Sequence, residues 1–299
     1  MPFWHCLTKT FQRTDKIILN KLLAKEKLAE FLKEDLGFGD LSTAYLPDGE
    51  TAGSFIAKED GIACGQEIPG MVYELLGGDA DYIPCVKDGD FIKKGTVMGK
   101  AVGNAKTLLA GERVSLNMMQ HMSGIATKTK KAIDLLDDDS IKLCDTRKTT
   151  LGLRMFDKYA VMIGGGHNHR FDLTGALMLK DNHIALAGSI KNCVENIRKH
   201  IGPLTPIEVE IETIDELKEA IDANVDVIMF DNQLPQTIRK WKEIVPAHVK
   251  IEASGGISFS TIASFKGCGA DFLSMGELTN EVEPLDISFL VKNAVKAEF

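Results

Sequence analysis

The chain has 299 residues, 44% of them hydrophobic and 26% charged, with a formal net charge of −8. That length supports one or two domains with a sizeable core, and the negative balance is the wrong sign for binding nucleic acid or anionic membranes. A local basic cluster therefore runs against the overall field and is informative, and no apolar run reaches the length of a membrane span.

The start, Met1-Pro2-Phe3-Trp4-His5-Cys6, is followed by polar residues and has no apolar h-region, so no signal peptide is expected. Residues 16–36 predict an amphipathic helix, with Ile18, Leu22, Leu28, Leu32 and Leu36 apolar among lysines and glutamates. Residues 51–105 are rich in glycine and in β-forming residues and are expected to form mainly strands. From Thr107 to Leu136 the spacing is helical again, and Met118, Met119 and Met122 are expected in a core or an interface. The six cysteines, Cys6, Cys64, Cys85, Cys144, Cys193 and Cys268, form no C-x-x-C pair; reduced thiols of a cytoplasmic protein are the expectation.

From about residue 141 short apolar strands alternate with helical stretches. The predicted strands are Ile141–Cys144, Ala176–Leu179, Ile207–Ile211, Val227–Phe230, Val249–Ala253 and Phe272–Ser274. Helices are predicted over Ser189–Ile201 and from Thr213, where Thr213 and Glu216 form a capping box. Repeated βα units imply a parallel sheet, and so many in succession favour a (β/α) barrel over an open sheet.

The chemistry lies where those strands end. The first runs into Asp145-Thr146-Arg147-Lys148-Thr149-Thr150 and the second into Lys180-Asp181-Asn182-His183. The third carries Glu208, Glu210 and Glu212, which strand alternation places on one face. The remaining three end in Asp231-Asn232, Ser254-Gly255-Gly256 and Met275-Gly276-Glu277. Active sites of (β/α) barrels are built on that face. Arg147, Lys148, Arg154, Lys158, Arg170 and Lys180 supply cationic groups, and the arginine fork matches carboxylates and phosphates. Gly164-Gly165-Gly166 would let main-chain N–H groups approach an anion, and the late Ser-Gly-Gly and Ser-Met-Gly loops fall where such barrels commonly bind phosphate. Glu210 and Asp231 would be repulsive beside a bare polyanion. They fit a sugar carrying phosphates, through ribose hydroxyls, Mg²⁺ or a developing sugar cation. The H-x-H spacing of His167 and His169 is a weaker sign of a metal site, since Arg170 would repel a cation. His121 and His200 carry no assigned role.

These motifs resemble the quinolinate phosphoribosyltransferase family. Further matches are Glu34-Asp35-Leu36-Gly37-Phe38-Gly39-Asp40, Gly111-Glu112-Arg113-Val114-Ser115-Leu116-Asn117 and Glu252-Ala253-Ser254-Gly255-Gly256-Ile257, in order along the chain from about residue 17. One departure is Leu151, where the family usually has proline, which would loosen that loop. The resemblance implies an α/β fold of the type II phosphoribosyltransferase kind. An N-terminal α/β sandwich over 1–124, with 281–299 packed back on it, would sit beside an incomplete (β/α) barrel over 125–280. It implies Arg113, Arg147, His169, Arg170 and Lys180 around the quinolinate carboxylates, with Thr146 beside them. Lys148, Glu210 and Asp231 would carry the catalysis, facing phosphoribosyl pyrophosphate and its Mg²⁺, which the two carboxylates would hold directly or through water. Ser254, Gly255, Gly256 and Gly276 would hold the ribose 5-phosphate. A homodimer or multiple of dimers is implied, with Arg113 reaching the neighbouring subunit's site, and no organic cofactor. The reaction would be phosphoribosyl transfer to quinolinate with decarboxylation, in NAD biosynthesis. Two alternatives are a molybdate-uptake accessory protein of the same fold and a phosphoribosyltransferase for nicotinate. Lys87–Gly99 also resembles the turns of lipoyl or biotinyl carriers but lacks their acceptor-lysine site.

Overall fold

A computed structural model describes residues 19–45 and 49–291. The predicted first helix is α1, Lys21–Leu36; the proposed residues 16–18 lie outside the described part. Asn20 caps it, its side chain accepting the Leu23 N–H at 3.2 Å, and Ala24, Leu28 and Leu32 form its buried stripe.

The segment 51–105 holds β1 (Glu50–Ala57), β2 (Gly61–Ile62), β3 (Ala80–Pro84), β4 (Phe91–Ile92) and β5 (Val97–Asn104), and also a helix, α2 (Ile68–Leu75), that the strand expectation missed. Eight residues are too few to display a helical period clearly, and Ile68, Met71, Val72 and Tyr73 are all buried, so the apolar run reads like a strand. After the long helix α3 (Ala105–Leu136), the chain alternates: β6 (Lys142–Cys144), α4 (Arg154–Ile163), β7 (Leu177–Leu179), α5 (Asp181–Ala187), α6 (Ile190–Arg198), β8 (Ile207–Ile211), α7 (Ile214–Asp222), β9 (Val227–Asp231), α8 (Pro235–Lys242), β10 (Lys250–Ser254), β11 (Phe272–Ser274) and α9 (Glu277–Asn280). The Thr213–Glu216 capping box is formed at the start of α7. A final strand, β12 (Ile287–Val291), returns to the first half of the chain and pairs antiparallel with β1.

Two main sheets result. The first is antiparallel and four-stranded, in the order β12-β1-β5-β3. The second is parallel and six-stranded, in the order β6-β11-β10-β9-β8-β7. The order follows a barrel whose first two strands, β6 and β7, do not pair with each other. At that seam His167 takes the place of a strand: its N–H donates to Leu143 O at 2.8 Å, and its carbonyl accepts the Asp145 N–H at 3.0 Å. Helix α3 packs on α1, α2 and the antiparallel sheet on one side and on α4 on the other, so it joins the two halves. Met118, Met119 and Met122 are buried there, as expected. Among the described residues no helix is long and apolar enough to cross a membrane. Cys64, Cys144, Cys193 and Cys268 are buried free thiols, and Cys85 is an exposed one.

Candidate active site

The carboxyl ends of the parallel strands surround a cleft of about 710 Å³. Its walls include Thr146, Arg147, Lys148, His169, Arg170, Lys180, Glu210, Asp231, Ser254, Gly255, Gly256 and Gly276. Of the residues that the family resemblance places at the substrates, only Arg113 is absent from the lining; it lies exposed on α3. The other lining residues include Met178, Met229 and Glu252, side chains that alternation along β7, β9 and β10 directs to the interior.

The loop after β6 is pinned along its length. The Lys148 N–H donates to Thr146 Oγ1 at 2.9 Å, closing a tight turn, and Thr279 Oγ1 donates to the Lys148 carbonyl at 2.7 Å. Arg154 Nε donates to Thr149 Oγ1 at 3.0 Å, and the Thr150 N–H to Asp157 Oδ2 at 3.1 Å. Asp157 is fully buried, and its other oxygen lies 2.6 Å from His121 Nε2 on α3. His121, which carried no assigned role, thus supports the loop from below. Leu151 is exposed, beyond these anchors.

The second basic segment is held by a buried ion pair. Asp145 and Lys158 are both buried and bonded to each other. Asp145 also accepts the His169 N–H at 2.9 Å and Asn168 Nδ2 at 2.6 Å, while Lys158 Nζ donates to the His169 carbonyl at 3.1 Å. Burial pushes the Asp145 carboxyl up and the Lys158 ammonium down, and each is partly offset by the charge of the other. Lys158, read from the sequence as part of the cationic stretch, is therefore an internal brace that does not line the cleft.

Gly164-Gly165-Gly166 also differs from expectation. The three N–H groups donate to Ala160 O, Met162 O and Val161 O, closing α4, so they are not offered to an anion. A Cβ at Gly164 would stand 2.5 Å from the Ala126 carbonyl of α3, so this glycine permits close helix packing. The expected alternation of three glutamates fails at Glu212, because β8 ends at Ile211; Glu212 is exposed.

Arg170 extends from that braced segment, with Nη1 donating to the Ala176 carbonyl at 3.2 Å. Its pKa is lowered, first by burial and then by the charge of Arg147. Two guanidinium groups close enough to repel each other make a site that an anion relieves. Lys180 pairs with Glu210 at the ends of the neighbouring strands β7 and β8. Behind the guanidiniums, His169 Nε2 lies 3.3 Å from a Glu252 oxygen and 3.5 Å from a Glu208 oxygen. Burial pulls the His169 pKa down, but hydrogen bonding and charge from the two glutamates outweigh it and raise it to about 10. Burial raises Glu208. The Arg170 main-chain N–H donates to His169 Nδ1 at 2.7 Å, so Nδ1 is bare and the ring's proton is on Nε2. The additional proton is held by His169 and its carboxylate surroundings as a unit.

On the opposite wall, Gly255 has φ +83°, and a Cβ there would stand 2.6 Å from the Asn232 main-chain nitrogen. A Cβ at Gly276 would stand 2.9 Å from Lys148 Cδ. Both glycines let the loops of this wall pack closely on their neighbours. The site therefore joins an arginine-lined end, two accessible carboxylates in Glu210 and Asp231, and a glycine-rich wall.

Known proteins share this arrangement of sequence and fold. The family profile of the quinolinate phosphoribosyl transferase N-terminal domain matches residues 40–123, and that of the C-terminal domain matches residues 125–290. A Bacillus subtilis protein named "Probable nicotinate-nucleotide pyrophosphorylase (carboxylating)" is 48% identical over 271 residues, covering 90% of this chain and 94% of its own. A chloroplastic nicotinate-nucleotide pyrophosphorylase (carboxylating) of Arabidopsis thaliana is 38% identical, covering 93% and 84%. The crystal structure of NadC from Streptococcus pyogenes superposes with a TM-score of 0.88 at 38% identity, covering 92% of this chain and 99% of that one. With both halves matched in order and the strand-end motifs gathered around one cleft, the chain belongs to the quinolinate phosphoribosyltransferase family.

Proposed function

We propose that the protein transfers the phosphoribosyl group of phosphoribosyl pyrophosphate to quinolinate, giving nicotinate mononucleotide, pyrophosphate and CO₂ in NAD biosynthesis. The observation that carries this reading is the pair of mutually repelling arginines, Arg147 and Arg170, in the same cleft as Glu210 and Asp231. Quinolinate brings two carboxylates for the guanidiniums, which bind them as planar forks. The donor brings phosphates for the Gly255-Gly256 and Gly276 wall and ribose hydroxyls for the acidic side.

In the reaction the pyridine nitrogen forms a bond to the anomeric carbon as the carbon–oxygen bond to pyrophosphate breaks. Glu210 and Asp231 stabilise the positive charge that develops on the sugar, and Lys148 attracts the departing pyrophosphate. The pyridinium then accepts the electron pair of the breaking bond at C2, CO₂ leaves, and C2 takes up a proton. The ring is its own electron sink, so this chemistry calls for no organic cofactor. Mg²⁺ enters as part of the substrate; its preference for oxygen ligands suits Glu210 and Asp231, directly or through water. Glu210 is paired with the Lys180 ammonium and Asp231 with the neutral Asn232 amide, so Asp231 keeps more of its charge for a cation.

The proposal includes a homodimer or multiple of dimers in which Arg113 completes a neighbour's site, and a cytoplasmic setting. The decisive assay supplies quinolinate and phosphoribosyl pyrophosphate and follows nicotinate mononucleotide and CO₂. Formation of both supports the proposal. Turnover with nicotinate alone would favour the monocarboxylate reading, and saturable molybdate binding without turnover the accessory-protein reading. Quinolinate without the ribosyl donor should release no CO₂, and Asp231→Asn should lower turnover far more than quinolinate binding.

A further inference from the structure

His169 lines the cleft, yet both of its ring nitrogens are occupied within the protein. Nδ1 accepts the Arg170 main-chain N–H at 2.7 Å, and Nε2 faces Glu252 and Glu208 at 3.3 and 3.5 Å. The two glutamates stand on β10 and β8, on either side of β9. Their side chains are only 4% and 8% exposed, and the Oε1 atom of each has no hydrogen-bond partner among the described residues. Burying two acids side by side is costly unless they hold something in place.

A divalent cation is one candidate, since the three ligand atoms lie within 4.8 Å of one another. With Nδ1 accepting the Arg170 N–H, a cation on Nε2 would require the ring to give up its last proton. Arg170 and Arg147 lie on the same side and would oppose a second positive charge. The contacts describe a bracket: carboxylates to imidazole, imidazole to main chain, main chain to guanidinium.

We propose that Glu208 and Glu252 are positioning residues that orient the His169 ring, so that His169 fixes the main chain of Arg170 and with it the entry of the Arg170 guanidinium into the cleft. This rests on the functional reading above and assigns His169 a role apart from direct contact with the substrate carboxylates through its nitrogens. The bracket supplements the Asp145–Lys158 brace. That brace holds the N–H and carbonyl of His169, whereas the ring holds the next N–H along. Together they fix three consecutive polar main-chain groups ahead of the Arg170 side chain.

The first test reads the ring directly. Nitrogen-15 correlation spectra of the intact protein, with His169 identified by comparison with His169→Ala, should show a bare Nδ1 and a protonated Nε2. Glu252→Gln should weaken that preference. A ring protonated at Nδ1 in the wild-type protein would overturn the bracket whatever the substrate proves to be.

The second test uses calorimetric quinolinate affinity and the separate KM values for the two substrates. Glu252→Gln, Glu208→Gln and His169→Ala should each weaken quinolinate binding roughly tenfold, in the range of couplings between residues in direct contact, with little change for phosphoribosyl pyrophosphate. Glu252→Gln added to His169→Ala should cost nothing further. Additive losses, equal weakening of both substrates, or a divalent ion retained by the wild-type protein and lost from Glu252→Gln would each refute the proposal. Wild-type protein that binds no quinolinate would instead count against the functional reading, leaving the nitrogen-15 result to judge the bracket. If one glutamine variant fails to fold, the other carries the cycle.

Discussion

The carboxylate of Asp145 accepts the main-chain N–H of His169 at 2.9 Å, joining the end of β6 to a segment twenty-four residues further along the chain. This bond crosses the seam where β6 and β7 fail to pair. It sets the two arginine-bearing loops against each other, because Arg147 follows Asp145 by two residues and Arg170 follows His169 by one. The partner whose charge offsets the burial of Asp145, Lys158, is wholly internal.

Removing one member of that pair should strand a charge in the core. Lys158→Met is expected to lower stability by about 3–5 kcal/mol in urea unfolding. The double variant Asp145→Asn/Lys158→Met should recover part of that loss. A single variant as stable as the wild type would show that the pair contributes nothing to holding the seam.

Arg147→Ala and Arg170→Ala should leave the fold intact, since both guanidiniums reach the cleft. Each should weaken quinolinate binding about ten- to a hundredfold, as loss of a charge-assisted hydrogen bond of roughly 1.5–3 kcal/mol requires. Calorimetric titration alongside thermal melts separates the two effects. Unaltered affinity in either variant would remove that arginine from the binding site.

Arg113 lies outside the lining of its own chain's cleft. If it serves a neighbouring subunit, mixing inactive Arg113→Ala and Arg147→Ala proteins should restore activity, because a mixed dimer assembles one site with both arginines. Demonstrated subunit exchange with no recovery would refute the shared site.

Gly255→Ala should damage the donor side selectively. The residue has φ +83°, and its new methyl would meet the Asn232 nitrogen at 2.6 Å. Backbone strain of this kind costs about 1–3 kcal/mol, and here it would displace the glycine-rich wall. The KM for phosphoribosyl pyrophosphate should rise more than that for quinolinate, as steady-state kinetics would reveal.

Asp88 links the two halves of the molecule, accepting the Gln66 N–H at 2.9 Å and the Tyr159 hydroxyl at 2.7 Å. Burial raises its pKa above the ordinary 3.8. The folded protein therefore binds that proton more tightly than the unfolded chain. Its contribution to stability is complete below the ordinary value and declines as pH rises through the folded one. Asp88→Asn should lack this decline, so its melting temperature should gain on the wild type over the range in which pH is raised above the ordinary value of 3.8. A difference in Tm that stays constant across that range would contradict the assignment.

The sequence by itself determined the βα alternation after residue 141 and the chemistry at the strand ends. Buried parallel strands must be apolar runs, and their polar extensions must face solvent or a ligand. Arg147, Lys180, Glu210, Asp231 and Ser254 were legible for that reason, and the structure brings them to one cleft. Helix α2 was not, because its buried apolar residues obscure the helical period over only eight positions. The tertiary structure alone decided what each charge does. Lys158 and Arg170 are cations of the same segment, yet Lys158 turns inward to Asp145 while Arg170 enters the cleft. Glu208 and Glu210 share a strand face, yet the first lies beneath His169 and the second meets Lys180. Periodicity assigns a side chain to a face, but its depth and its partner depend on contacts between residues far apart in the chain. His121 on α3 supports the Thr150 loop through Asp157 for the same reason: the link exists only once α3 and α4 have packed.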